Sequence, residues 1–214
     1  MIIIPLTFLI IMLSKEIVEV IYGNAYQLAP IFLATYSLLF LMVGFGYLVL
    51  PSLYNGLGDT KTTLKMSLIT FVTLVLMSPI LTKAYNVQGL IAAFLMANFC
   101  GTTYGLYTAI KNFKIAVEVG ALLKIYINSA VGSMPALLII NFGHLPAFSN
   151  ILLIGLLYLF TYATLIPITK TITSNELETA KNIMKKTKLL LLIAKPILVY
   201  QQKLAKSNEF IKNP

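Results

Sequence analysis

The length of the charge-free stretches constrains this chain more than any other feature. After Gly23 no charged residue occurs until Asp59, residues 89–110 are uncharged throughout, and no acid or lysine falls within 125–169. A helix needs about 20 predominantly apolar residues to cross a ~30 Å hydrocarbon core. Composition agrees: 58% of the residues are hydrophobic and only 11% are charged, against about 25% charged in a soluble chain. Most of this surface cannot face water.

The expected fold is all-α: a polytopic membrane bundle of six transmembrane helices over 1–170, with spans near 1–22, 28–50, 62–81, 89–110, 125–142 and 151–169. The first apolar run ends at Leu13 and is too short alone, so the helix must continue through Ser14, Lys15, Glu16 and Glu19 to Tyr22. Beginning abruptly at Met1, it reads as the remnant of a longer helix. Prolines 5, 79, 135 and 167 fall inside spans and should kink them. Residues 171–200 read as a basic, interfacial amphipathic helix. They open with the capping box Thr173-Ser174-Asn175-Glu176 and contain an apolar run too short to span. Residues 201–214 form a polar tail.

Net charge is +9, from sixteen lysines and seven acids. With no arginine for bidentate phosphate or guanine contacts, this balance does not describe a nucleic-acid reader. The lysines gather at span ends instead. Lys15 and Lys83 are the two on one set of alternate connections, and the other fourteen lie on the opposite set or in the tail. The positive-inside rule therefore places both termini in the cytoplasm. Cys100 is the only cysteine, so no intrachain disulfide can form. The N-terminus lacks the basic region and cleavage site of a signal peptide.

The fourth span carries a small residue at every fourth position: Gly89, Ala93, Ala97, Gly101 and Gly105. Such a stripe lets two backbones approach in lipid, as a static contact or a sliding one. Asn98 and Thr102, four apart on one face, are candidates for a substrate path, as is Asn128 in the fifth span. Each must either bond across helices or face a wet cavity. Enzyme signatures are missing: there is no HExxH, phosphate loop or Ser-His-Asp set. His144 stands alone in a loop, so no metal site or cofactor is expected. No carboxylate is expected deep in a span, hence no proton relay or cation-coupling site.

Three motifs then carry a resemblance. Ile21-Tyr22-Gly23-Asn24-Ala25-Tyr26-Gln27-Leu28-Ala29, Tyr54-Asn55-Gly56-Leu57-Gly58-Asp59-Thr60-Lys61 and Ala84-Tyr85-Asn86-Val87-Gln88-Gly89-Leu90-Ile91-Ala92-Ala93 occur in order over roughly the first 110 residues. They resemble span boundaries in polysaccharide-biosynthesis (Wzx-type) flippases, exporters of lipid-linked oligosaccharides in the superfamily that includes MATE transporters and the lipid II flippase. The resemblance implies two bundles around a cavity, alternating access, and a cytoplasmic-membrane location. This chain matches the C-terminal part, so a second six-span bundle is expected as partner, from a homodimer or a separately encoded N-terminal half. Other partners are the bilayer and a lipid-linked sugar. Two further readings remain: a MATE-type drug or cation exporter, against which the lack of intramembrane carboxylates counts, and a non-transporting scaffold or inactive fragment.

Overall fold

The computed structural model describes residues 2–115, 118–142, 146–169 and 171. Among them all regular structure is helical: α1 (Ile3–Met12), α2 (Ser14–Tyr22), a 3-10 turn (Gly23–Ala25), α3 (Ala29–Ser37), a 3-10 run (Leu38–Phe45), α4 (Val49–Gly56), α5 (Thr60–Phe113), α6 (Val119–Phe142) and α7 (Ala147–Ile168). The chain divides into two compact units. One comprises Met1–Glu118 with Pro146–Ile151, the other Val119–Leu145 with Leu152–Pro214.

Each expected span differs from its helix in an instructive way. The first is interrupted at Leu13, whose ψ of 14° leaves the helical range, although Ile17 N–H still donates to the Leu13 carbonyl at 2.9 Å. The second breaks fully. Pro30 in the first turn suits the start of α3, but the helix tightens to 3-10 for eight residues and ends at Gly46, φ +93°. Long 3-10 runs mark hinges, and the two halves meet at 45°. Gly46 is required here twice over, by its left-handed φ and because a Cβ would lie 2.8 Å from Leu50 Cγ.

The third and fourth spans form one element, α5, reversed at Asn86 (φ +53°, ψ −133°). The reversal follows from its contacts. A Cβ on Gly89 would strike the Leu81 backbone, and one on Gly101 would meet Thr70 and lie 3.0 Å from the Met66 carbonyl. Residues thirty apart in one straight helix would be about 45 Å apart. The arms 60–85 and 87–113 therefore lie antiparallel, each long enough for a ~30 Å core. α6 begins at Val119, earlier than the expected 125, so it takes in Lys124. The helices run without interruption through Pro79 and Pro135. The breaks fall instead at Gly46 and Asn86, where φ is positive.

By length and composition, α5, α7 and the bent pair α3–α4 can cross a membrane. Their outward side chains agree: Leu64, Phe71, Leu76 and Ile80 on one arm of α5 are each at least 60% exposed. A contiguous apolar surface of this kind belongs in lipid. Glu16, in the second half of the expected first span, is buried within α2. His144, the proposed amphipathic helix beyond Thr171 and the tail lie outside the described residues.

Candidate functional site

The turn between α4 and α5 fixes the geometry of the first unit. Asp59 caps α5, its Oδ1 accepting from Thr62 N–H at 3.2 Å and its Oδ2 from Thr62 Oγ1 at 2.6 Å. These two bonds hold the Asp59 carboxyl below the ordinary aspartate range, the hydroxyl bond contributing most. Thr63 Oγ1 donates to Asn55 Oδ1 at 3.0 Å. From the same motif Tyr54, completely buried, donates its hydroxyl to the Gly105 carbonyl at 2.7 Å. Tyr54 packs with Leu50, Met66 and Ala109 into a small core. The second motif is thus a clamp joining α4 to both arms of α5.

On that frame all five stripe residues, Gly89, Ala93, Ala97, Gly101 and Gly105, are buried. Gly105 faces the Met66 side chain, as Gly101 faces Met66 and Thr70. The stripe of the second arm therefore seats on the first arm.

Beside this contact lies a groove of about 340 Å³, lined by Tyr47, Ser67, Thr70, Asn98, Gly101 and Thr102 among others. The sequence candidates Asn98 and Thr102 thus share one cavity. Asn98 Nδ2 donates back to the Phe94 carbonyl at 2.8 Å. Its Oδ1 and the Thr102 hydroxyl make no hydrogen bond among the described residues. Ser67 and Thr70 turn their hydroxyls onto carbonyls of their own helix, which lowers the cost of such groups away from water. The groove accordingly offers an amide carbonyl and a hydroxyl to a polar guest. Ser67 and Thr70 escaped the sequence reading, since nothing marks which face of the third span meets the fourth, and Tyr47 did because nothing places the second span beside them.

Asn128 lies in the other unit. It is 2% exposed, and its Nδ2 donates to Thr169 Oγ1 at 2.7 Å and Thr171 Oγ1 at 2.9 Å. Nearby, Thr161 Oγ1 donates to the Gly132 carbonyl at 2.9 Å, again joining α7 to α6. Of the two roles open to Asn128, bonding between elements accounts for its amide nitrogen. Among the described residues no group of His, Cys, Asp and Glu could hold a metal ion.

A family model, lipid II flippase MurJ, matches residues 1–172. The chain belongs to that family. The MurJ family comprises flippases, so the chain is a membrane transporter for lipid-linked precursors and not an enzyme. The match covers every described helix and ends where the basic C-terminal region begins. It places the chain among lipid-linked flippases, as the three motifs implied, through the lipid II branch and not the Wzx-type branch specifically. No curated protein and no solved structure matches the chain.

Proposed function

We propose that this chain moves an isoprenoid-linked glycan precursor outward across the cytoplasmic membrane, and that the cargo is lipid II or a close relative. The family match over residues 1–172 carries this reading. The Asn98–Thr102 groove supports it with polar groups inside an otherwise apolar hairpin. An oligosaccharide-lipid of polysaccharide biosynthesis is the competing cargo, favoured by the three boundary motifs.

In this reading six segments cross the bilayer: α1–α2, α3–α4, the two arms of α5, α6 and α7, with both termini cytoplasmic. Single cysteines at Tyr22, Asn86 and Ala147, on a Cys100-free background, should be labelled from outside only. Labelling solely from the cytoplasmic side would overturn the orientation.

Alternating access needs a second bundle to work against, supplied by another copy or a separately encoded half. In vesicles at less than one copy each, lipid II should stay where it was loaded. At higher density, or with the second bundle added, it should be translocated faster than an O-antigen-type oligosaccharide-lipid. Translocation at the dilute limit would remove the need for a partner. Translocation of neither lipid at any density, with or without a partner, would overturn the transport reading.

A further inference from the structure

The first motif, Tyr22-Gly23-Asn24-Ala25-Tyr26-Gln27, takes no part in the groove or the clamp. It forms the wall of a separate cleft of about 400 Å³ where α2 ends and α3 begins. Its size falls within the range of small-molecule sites, about 300–1,000 Å³. Lys15 and Glu19 enter it from α2, Asn24 from the 3-10 turn, and Tyr26 and Gln27 from the segment leading to α3. The side chains of Lys15, Glu19, Asn24 and Gln27 make no hydrogen bond or ion pair among the described residues. Four polar side chains thus converge with their bonding capacity unspent.

Chemistry selects the ligand. One lysine and one glutamate leave the cleft with no net charge, which suits a neutral guest better than a free anion. Two amide-bearing side chains, Asn24 and Gln27, can donate and accept at once, matching hydroxyls and acetamido groups. Tyr26 adds an aromatic face that is 61% exposed, steadied edge-on by Tyr22 at 5.6 Å between ring centroids. Gly23, at φ +64°, has no atom within 4 Å of where a Cβ would stand, so the turn leaves open space. Apolar Val20, Ile21 and Leu28, next in sequence to the lining segments, are exposed. A guest bound there by a polar head could keep a lipid tail against that apolar surface.

We infer that this cleft is a saccharide-binding site, holding the glycan head group of the lipid-linked cargo at one face of the membrane. The inference rests on the transport reading for its choice of cargo. Binding itself is tested without transport. The full chain in phosphatidylcholine nanodiscs is titrated with N,N′-diacetylchitobiose, and saturation-transfer NMR reads contact with the sugar. Saturation of the acetamido and ring protons is expected in the parent. Tyr26→Ala and Gln27→Leu, both at the protein surface, should weaken binding about tenfold with the melting temperature unchanged. Asn24→Ala serves as the third variant should either of these melt early.

No saturation in the parent, or equal saturation in correctly folded variants, overturns the site. So does binding of glycerol 1-phosphate in place of the disaccharide with loss in Lys15→Gln, since that marks an anion site. Disaccharide binding that is lost in the variants, alongside vesicles that translocate nothing, keeps the site and overturns the transport reading instead.

Discussion

Asn98 in the α5 hairpin and Asn128 in α6 are both buried and are satisfied differently. Asn128 spends its amide nitrogen on two threonine hydroxyls of a segment more than forty residues away in sequence. Asn98 returns its nitrogen to its own helix and presents the other end of the amide to a groove. The same side chain, nearly as buried, is a cross-link in one region and, in the transport reading, a docking group in the other. The neighbour decides. Where the facing helix offers hydroxyls the amide is consumed, and where it offers backbone at close range the amide has only the cavity left.

Four measurements press on that contrast. The largest effect should come from Gly101→Leu, which drives a side chain into Met66 and Thr70 of the facing arm. Overpacking of this kind costs about 1–3 kcal/mol, at the upper end here because backbone blocks relaxation. A parent-like melt in detergent would show that the arms do not seat on one another. Next, Asn128→Leu removes both amide bonds to Thr169 and Thr171, which keep their bonds to each other and to the Leu165 carbonyl, and should destabilise by about 1–3 kcal/mol, read from the same melt.

Asn98→Leu should cost less than about 1 kcal/mol, because only a bond within one helix is lost. It should nevertheless lower translocation severalfold in vesicles holding the second bundle. If Asn98→Leu melts as early as Asn128→Leu, the distinction between cross-link and docking group fails. The smallest effect concerns the cap on α5. The Asp59 carboxyl is lowered from 3.8 by Thr62, so its contribution is present at neutral pH and above its unfolded value. It is lost as pH falls through the lowered, folded value. A stability profile should therefore flatten at acidic pH in Asp59→Asn relative to the parent. Identical profiles would mean that the cap carries no linked stability.

Much of this was legible in the chain. Asn86 falls in the short connection between the expected third and fourth spans, and the turn over 55–60 announces itself by composition. The burial of the small-residue stripe follows from its period of four. The partners do not. Met66 and Thr70 face Gly101 because of where the reversal falls, which depends on one backbone angle at Asn86 and on no side-chain pattern. The Gly46 hinge was hidden for a related reason: a glycine within a uniformly apolar run looks like any other small membrane residue. The prolines do not end their helices, since helices packed in a bundle can absorb a missing backbone bond. The burial of Glu16 was hidden because sequence gives no measure of what covers a charge.

The reversal at Asn86 has a consequence for how this protein can vary. Connections on a protein surface ordinarily tolerate insertions, but here a single residue leaves helical geometry between two paired arms. Adding or removing one residue between Asn86 and Gly89 would turn the second arm by about 100°. Gly101 and Gly105 would swing away from Met66, and Cys100 and Tyr104 (for an insertion) or Thr102 and Leu106 (for a deletion) would arrive in their place. The length of this connection is therefore fixed more tightly than its composition. Substitutions at Tyr85 or Val87 should be borne easily, whereas a one-residue deletion there should be as damaging as a lesion in the middle of the packed interface.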